Sequence, residues 1–163
     1  MGWQDRFSLE GRTALITGAS SGIGWAIAEV FADARADIIA HGRSAERLAE
    51  LGARIAETGR RFTPITGNLA STADTQRVAE DALATAKIDI LVNSAGVALT
   101  GPAIDYDIAD WAETLAVNLT APFILSKAVL PGMYERRSGK IINISSQTGV
   151  IALEDHAAYA TSK

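Results

Sequence analysis

A short apolar run, Arg12–Thr17, passes directly into Gly18-Ala19-Ser20-Ser21-Gly22-Ile23-Gly24, and a helical pattern follows at once. No other feature constrains the fold as much. A strand that becomes a helix across a few glycines opens a βαβ unit, and its partner strand must then lie parallel. The theme recurs. Ala36–His41, Arg61–Thr66, Ile88–Val92 and Lys140–Ser145 read as further strands, with helical patterns between them. Ile88–Val92 is almost continuously apolar, as a strand covered on both faces should be. Pro64 weakens strand three and places it at an edge. The chain is therefore expected to form an α/β doubly wound parallel sheet of five strands; the glycine turn after strand one is of the Rossmann type, whose strand order is 3-2-1-4-5.

The helical segments carry apolar stripes. Ile23, Ile27, Val30 and Phe31 share one face of the first, and Ser44 is placed to cap the second ahead of Leu48, Gly52 and Ile55. Ser71–Ala86 should turn Val78, Ala82 and Leu83 inward. A long stretch from about Ile108 to Arg137 is expected to break near Pro122, with Asp105, Asp107 and Asp110 as capping residues at its start. At 163 residues the chain is one domain, 1–163.

Composition narrows the function. A net charge of −4 excludes nucleic-acid binding through phosphate contacts, which need clustered Lys and Arg. There is no cysteine, and His41 and His156 are the only histidines, so no metal site is expected. The first residues lack the apolar core of a leader peptide. Leu115–Met133 is interrupted by Asn118, Thr120, Ser126 and Lys127, and reads as a buried helix. These features predict a cytoplasmic protein with no membrane partner.

In the first turn, Gly18 permits the tight bend, Gly22 lets the backbone approach a pyrophosphate, and Gly24 lets helix and strand pack closely. The helix N-terminus behind them offers free N–H groups and the positive dipole end to a phosphate. Near the end of the chain, Tyr159 and Lys163 sit at i and i+4 and share a helix face. An ammonium beside a phenol favours the ionised phenol. Such a pair can take a proton from an alcohol or return one to a forming alkoxide. Ser146, after strand five, is placed to hydrogen-bond the same oxygen. Each residue also has a plain structural reading. Asn118 can satisfy backbone groups at a helix kink, Ser145 and Ser146 can cap a turn, and Tyr159 can simply pack.

Thr17-Gly18-x-x-x-Gly22-Ile23-Gly24, Asn93-Ser94-Ala95-Gly96, Asn118, Ser146 and Tyr159-Ala160-Thr161-Ser162-Lys163 occur in an order and spacing that resembles the short-chain dehydrogenase/reductase family. Ser94 departs from that family's second Asn. The resemblance implies hydride transfer to or from a nicotinamide, with Asn118, Ser146, Tyr159 and Lys163 as the catalytic set. Lys163 would also bind the nicotinamide ribose, and Asn118 would hold a relay water. It further implies cofactor contacts from Gly18, Ser20, Ser21, Gly22, Ile23, Gly24, Arg43, Asn68, Leu69, Asn93, Ala95 and Gly96, as well as Tyr159 and Lys163. The end of strand two reads Gly42-Arg43 with no acid, which favours NADP, with NAD as the other possibility. Asn68 stands where the family has an Asp facing adenine. A carboxylate in place of Gly42 is expected to move the preference toward NAD.

The loop bearing Gln147, Leu153 and His156 resembles that of xylulose-reductase-like and polyol dehydrogenases. With Ser146 and Tyr159 these residues make the expected substrate site, for a hydroxylated small molecule. A 3-oxoacyl-carrier-protein reductase and a nucleotide-binding module without catalysis are the alternatives. The family has further elements beyond the Tyr-x-x-x-Lys motif. A chain ending at Lys163 is therefore expected to be C-terminally incomplete and inactive by itself, and the longer protein to be a homo-oligomer.

Overall fold

The computed structural model describes residues 7–163. The reading of Met1–Arg6 as free of a leader lies outside the described residues. The elements are β1 (Thr13–Ile16), α1 (Gly22–Asp33), β2 (Asp37–Gly42), α2 (Ala45–Ala56), β3 (Phe62–Thr66), α3 (Thr72–Thr85) and β4 (Ile90–Asn93). Then come α4 (Ile108–Leu115), a π-helical turn (Ala116–Thr120), α5 (Ala121–Glu135), β5 (Lys140–Asn143), a 3-10 turn (Gln147–Gly149) and α6 (Ala157–Ser162). The strands form one sheet in the order β3-β2-β1-β4-β5. Every pairing is parallel. The expected order holds, and Pro64 lies in an edge strand.

Alternation along the strands feeds two cores. Ala14, Ile16, Ile38, Ala40 and Val92 face α1 and α2. Leu15, Ile39, Ile65 and Leu91 face α3 and α5. Each fully buried Leu or Ile contributes about 1.5–3 kcal/mol.

The expected helix faces need correction. Only half of the stripe on α1 faces the sheet: Ile27 and Phe31 pack against its core, Ile23 and Val30 are exposed, and Gly24, Ala28 and Ala32 are buried. The sheet takes the small residues because they let the helix axis come close. In α3, Leu83 is exposed, and Thr75, Val78, Ala79 and Ala82 point inward. The break in the long helical run lies at the π-turn. Pro122 follows it in the first turn of α5, where a missing N–H costs least. By length and composition alone, Ile108–Glu135 is long and apolar enough to cross a membrane. Its Leu125, Val129 and Met133 are buried against α3 and the sheet.

Candidate active site

A cavity of about 280 Å³ opens at the carboxyl ends of the strands, beside the point where the chain leaves β1. In this sheet β1 lies between β2 and β4, so the crossovers on its two sides diverge and leave a crevice. Gly18 has φ +68°, and a Cβ there would lie 2.7 Å from the Ala95 Cα. A Cβ on Gly24 would lie 2.5 Å from the Gly18 carbonyl oxygen. Turn, helix and β4 loop thus meet at backbone contact. The Thr17 hydroxyl oxygen accepts from the N–H groups of Ser94 and Ala95, each at 3.1 Å, and fixes that loop.

The helix N-termini differ. Ser44 accepts from the Arg47 N–H, Ser71 from the Asp74 N–H and Asp107 from the Ala109 N–H, so α2, α3 and α4 are capped by their own side chains. Ser21 makes no such bond on α1, whose first turn carries no acid. Its donors remain available to an anion, which fits a pyrophosphate.

Gly18, Ser20, Ser21, Gly22, Ile23, Gly24, Arg43, Asn68, Leu69, Ala95 and Gly96 all line this cavity. Asn93 does not. It is buried and donates its amide N–H to Asn143 Oδ1 at 2.9 Å, tying β4 to β5. Arg43 is exposed at the rim. Asn68 Oδ1 accepts from the Ala70 N–H at 3.1 Å, which leaves one lone pair for a ligand. Sequence reasoning missed His41, Gly67, Val97, Glu113 and Val117 as lining residues. For Gly67, Val97 and Val117 no side-chain chemistry announces the role. His41 was weighed only as a metal ligand. Burial pushes its imidazole pKa down, with Arg77 acting the same way and the Gly67 bond and Asp74 opposing.

At the other end of the cleft, α6 carries Tyr159 and leads into Lys163. The Lys163 ammonium donates to the Ile144 carbonyl at 3.1 Å and stands 5.7 Å from the Tyr159 ring centroid. Burial pushes the Lys163 pKa down. A Cβ on Gly96 would lie 3.3 Å from Lys163 Nζ and 3.4 Å from Asn118 Oδ1, so amine, amide and cavity wall meet there.

Asn118 sits in the π-turn, a local widening that recurs at functional sites. It donates to the Val97 carbonyl and the Ser162 hydroxyl, each at 2.9 Å, and accepts from the Val97 N–H at 2.9 Å. It therefore locks α6 to the loop after β4. The Ser146 oxygen accepts from the Thr148 N–H at 3.2 Å and from the Thr148 hydroxyl at 2.9 Å, capping the 3-10 turn. The Ser145 hydroxyl donates to the Lys163 carbonyl at 2.9 Å. His156 Nδ1 donates to the Glu154 carbonyl at 2.6 Å, which leaves Nε2 as an acceptor, and its ring lies 6.3 Å from that of Tyr159. Gln147 and Leu153 are exposed on the same loop.

Comparison with known proteins places these features. The family model described as "short chain dehydrogenase" matches residues 12–163. D-threitol dehydrogenase of Mycolicibacterium smegmatis is 41% identical over 158 residues, covering 96% of this chain and 61% of the relative. 2-dehydro-3-deoxy-D-gluconate 5-dehydrogenase of Bacillus subtilis is 38% identical over 163 residues, covering 98% of this chain and 62% of the relative. Among solved structures, a gluconate 5-dehydrogenase of Burkholderia cenocepacia in complex with NADP and tartrate superposes with a TM-score of 0.90 at 36% identity, over 99% of this chain and 64% of that one. A 3-oxoacyl (acyl-carrier-protein) reductase of Agrobacterium tumefaciens with NADP bound gives 0.94 at 34% identity, over 99% and 63%. The chain spans less than two thirds of the length of these relatives. With a five-strand parallel sheet, a glycine turn against β4 and the Tyr-x-x-x-Lys helix in register with them, the chain belongs to the short chain dehydrogenase family.

Proposed function

We propose that the protein moves a hydride between NADP(H) and the hydroxyl or carbonyl group of a sugar, polyol or related small molecule. One observation carries the reading: Gly96 lines the cavity at the glycine turn, and a Cβ there would lie only 3.3 Å from the Lys163 ammonium beside Tyr159. When bound, the nicotinamide supplies the hydride chemistry. Tyr159 gives its phenolic proton to the substrate oxygen in reduction and takes it back in oxidation. Lys163 holds positive charge beside that ring and favours the phenolate. Because the Ser146 oxygen already accepts twice, its own hydrogen is free to donate to the substrate oxygen as charge develops. Asn118 keeps α6 in place, and its remaining Oδ1 lone pair is open to a relay water.

Arg43 at the rim, with no acid at the end of β2, supports NADP over NAD, as does the NADP in the Burkholderia and Agrobacterium structures. Gln147, Leu153 and the Nε2 acceptor of His156 suit a hydroxylated substrate, in line with the threitol and gluconate names of the relatives. The Agrobacterium structure favours a second reading, reduction of a 3-oxoacyl thioester on a carrier protein. A nucleotide-binding module without catalysis would not need the Tyr159–Lys163 pair. Leu119, Phe123, Leu130 and Tyr134 form an exposed apolar stripe on one side of the long helical run, which supports a homo-oligomer. We place the protein in the cytoplasm, as a soluble enzyme.

The test is NADPH oxidation by the full-length protein against sugars, polyols and acyl thioesters, with Tyr159→Phe as the control. Turnover of a polyol or keto-sugar that Tyr159→Phe abolishes is the expected result. Activity on acyl thioesters alone would select the second reading, and NADPH binding without turnover of any of them would select the non-catalytic module.

A further inference from the structure

The chain entering the Gly67–Leu69 wall of the cavity is gripped at three successive residues, Thr66, Gly67 and Asn68. Arg77 donates to the Thr66 carbonyl at 2.8 Å, His41 stands 3.2 Å from the Gly67 carbonyl, and Asp74 accepts from the Asn68 N–H. Asp74 and Arg77 lie on α3 and reach solvent, where water competes for the same groups. His41 is 2% exposed. A carbonyl can only accept, so His41 Nε2 carries the proton. Nδ1 is then a buried acceptor with no partner among the described residues. A buried polar atom without a partner costs free energy. Isoleucine occupies the neighbouring inward positions 39 and 65 at no such cost. What the imidazole adds is the bond to Gly67. The main chain of the same residue holds the opposite wall, since the Ala19 N–H of the glycine turn donates to the His41 carbonyl at 2.8 Å.

We propose that His41 is a positioning residue for the cofactor, holding the Gly67–Leu69 wall at the distance from the glycine turn that the adenosine half requires. This rests on the cofactor reading given above. His41 acts on the part that NADP and NAD share, so its effect differs in kind from that of Arg43 at the rim.

The test uses the full-length protein and measures dissociation constants for NADPH and NADH by nucleotide fluorescence. His41→Leu should weaken both by a similar factor, about three- to tenfold for one buried hydrogen bond, with kcat at saturating NADPH unchanged. His41→Gln, whose amide N–H reaches the Nε2 position, should restore both. Unchanged affinity in His41→Leu overturns the proposal. A loss confined to NADPH does so too, because it assigns His41 to the 2′-phosphate. If His41→Leu does not fold, the wild-type imidazole decides. A slowly exchanging Nε2–H resonance that shifts when NADPH is added supports the proposal, and a rapidly exchanging or unshifted one overturns it. Failure of the wild type to bind NADPH is a separate result that removes the cofactor reading itself.

Discussion

The two ends of the cleft are built differently. The glycine-turn end rests on β1, β2 and β4, whose residues are almost all buried, and its turn, helix and β4 loop meet at backbone contact. The Tyr159 end rests on the carboxyl end of β5, on a three-residue 3-10 turn and on the helix that carries Tyr159. Its order comes from single hydrogen bonds: Asn118 to Ser162, Ser145 to the Lys163 carbonyl, Lys163 to the Ile144 carbonyl. Under the proposed function, the difference makes recognition and reaction separable. Damage to the first end should register as lost stability and affinity, and damage to the second as lost turnover.

The sharpest way to break that separation is Tyr159→Phe in the full-length protein. Turnover should fall ~10²–10⁴-fold, the usual contribution of general acid–base catalysis. NADPH affinity and melting temperature should stay near wild type. A large loss of either would mean that Tyr159 is structural first. Next in size is Arg43→Ala. Removing a charge-assisted contact should cut the preference for NADPH over NADH by roughly 10- to 100-fold while leaving NADH binding intact. An unchanged ratio would show that Arg43 does not read the 2′-phosphate.

Gly24→Ala addresses the buried end from the inside. Its methyl group would meet the Gly18 carbonyl, so overpacking should cost about 1–3 kcal/mol and lower both the melting temperature and NADPH affinity. A variant that melts like wild type would show that the turn yields more easily than its geometry indicates.

The smallest expected effect concerns Asp89 at the foot of the sheet. Burial works to raise its pKa, but the Lys87 ammonium, the Thr13 N–H and Arg12 outweigh it and hold the carboxyl below its usual range. A carboxylate lowered in the folded state stabilises the protein above its unfolded value of about 3.8, and that gain is lost as pH falls through the folded value. Asp89→Asn should therefore be less stable at neutral pH, and the gap to wild type should close on acidification below that value. A gap that stays constant would show that the ion pairs contribute nothing.

Much of this was legible in the sequence. Parallel pairing followed from alternation and from the rule for crossovers, strand order from the Rossmann-type glycine turn, and the lining glycines from their position between strand and helix. What escaped notice shares a physical cause. The buried face of α1 is Gly24, Ala28 and Ala32, whose hydrophobicity is slight and whose value lies in being small. Periodicity weighs side chains by apolarity, so it passes over them and adds Ile23 and Val30, which face outward, to Ile27 and Phe31, which pack on the core. The π-turn depends on where Asn118 finds partners in Val97 and Ser162, which lie far away along the chain. His41 looked like one histidine in an apolar strand until the sheet brought Gly67 to its ring. The Asn93 side chain meets Asn143 across the β4–β5 pair, a register that strand order alone does not give.

The contact between Gly42 and Ser20 governs the order in which mutations can accumulate. A Cβ at position 42 would lie 2.8 Å from the Ser20 Cβ and 2.9 Å from its oxygen. The expected carboxylate switch at Gly42 thus cannot act alone, because it pushes on the turn that receives the pyrophosphate. Gly42→Asp made first should impair both cofactors. Made after Ser20→Gly, which clears the space, the same change should redirect preference toward NAD. The two sites are epistatic, and a lineage exchanging one nicotinamide for the other has a short path through Ser20 and a costly one around it.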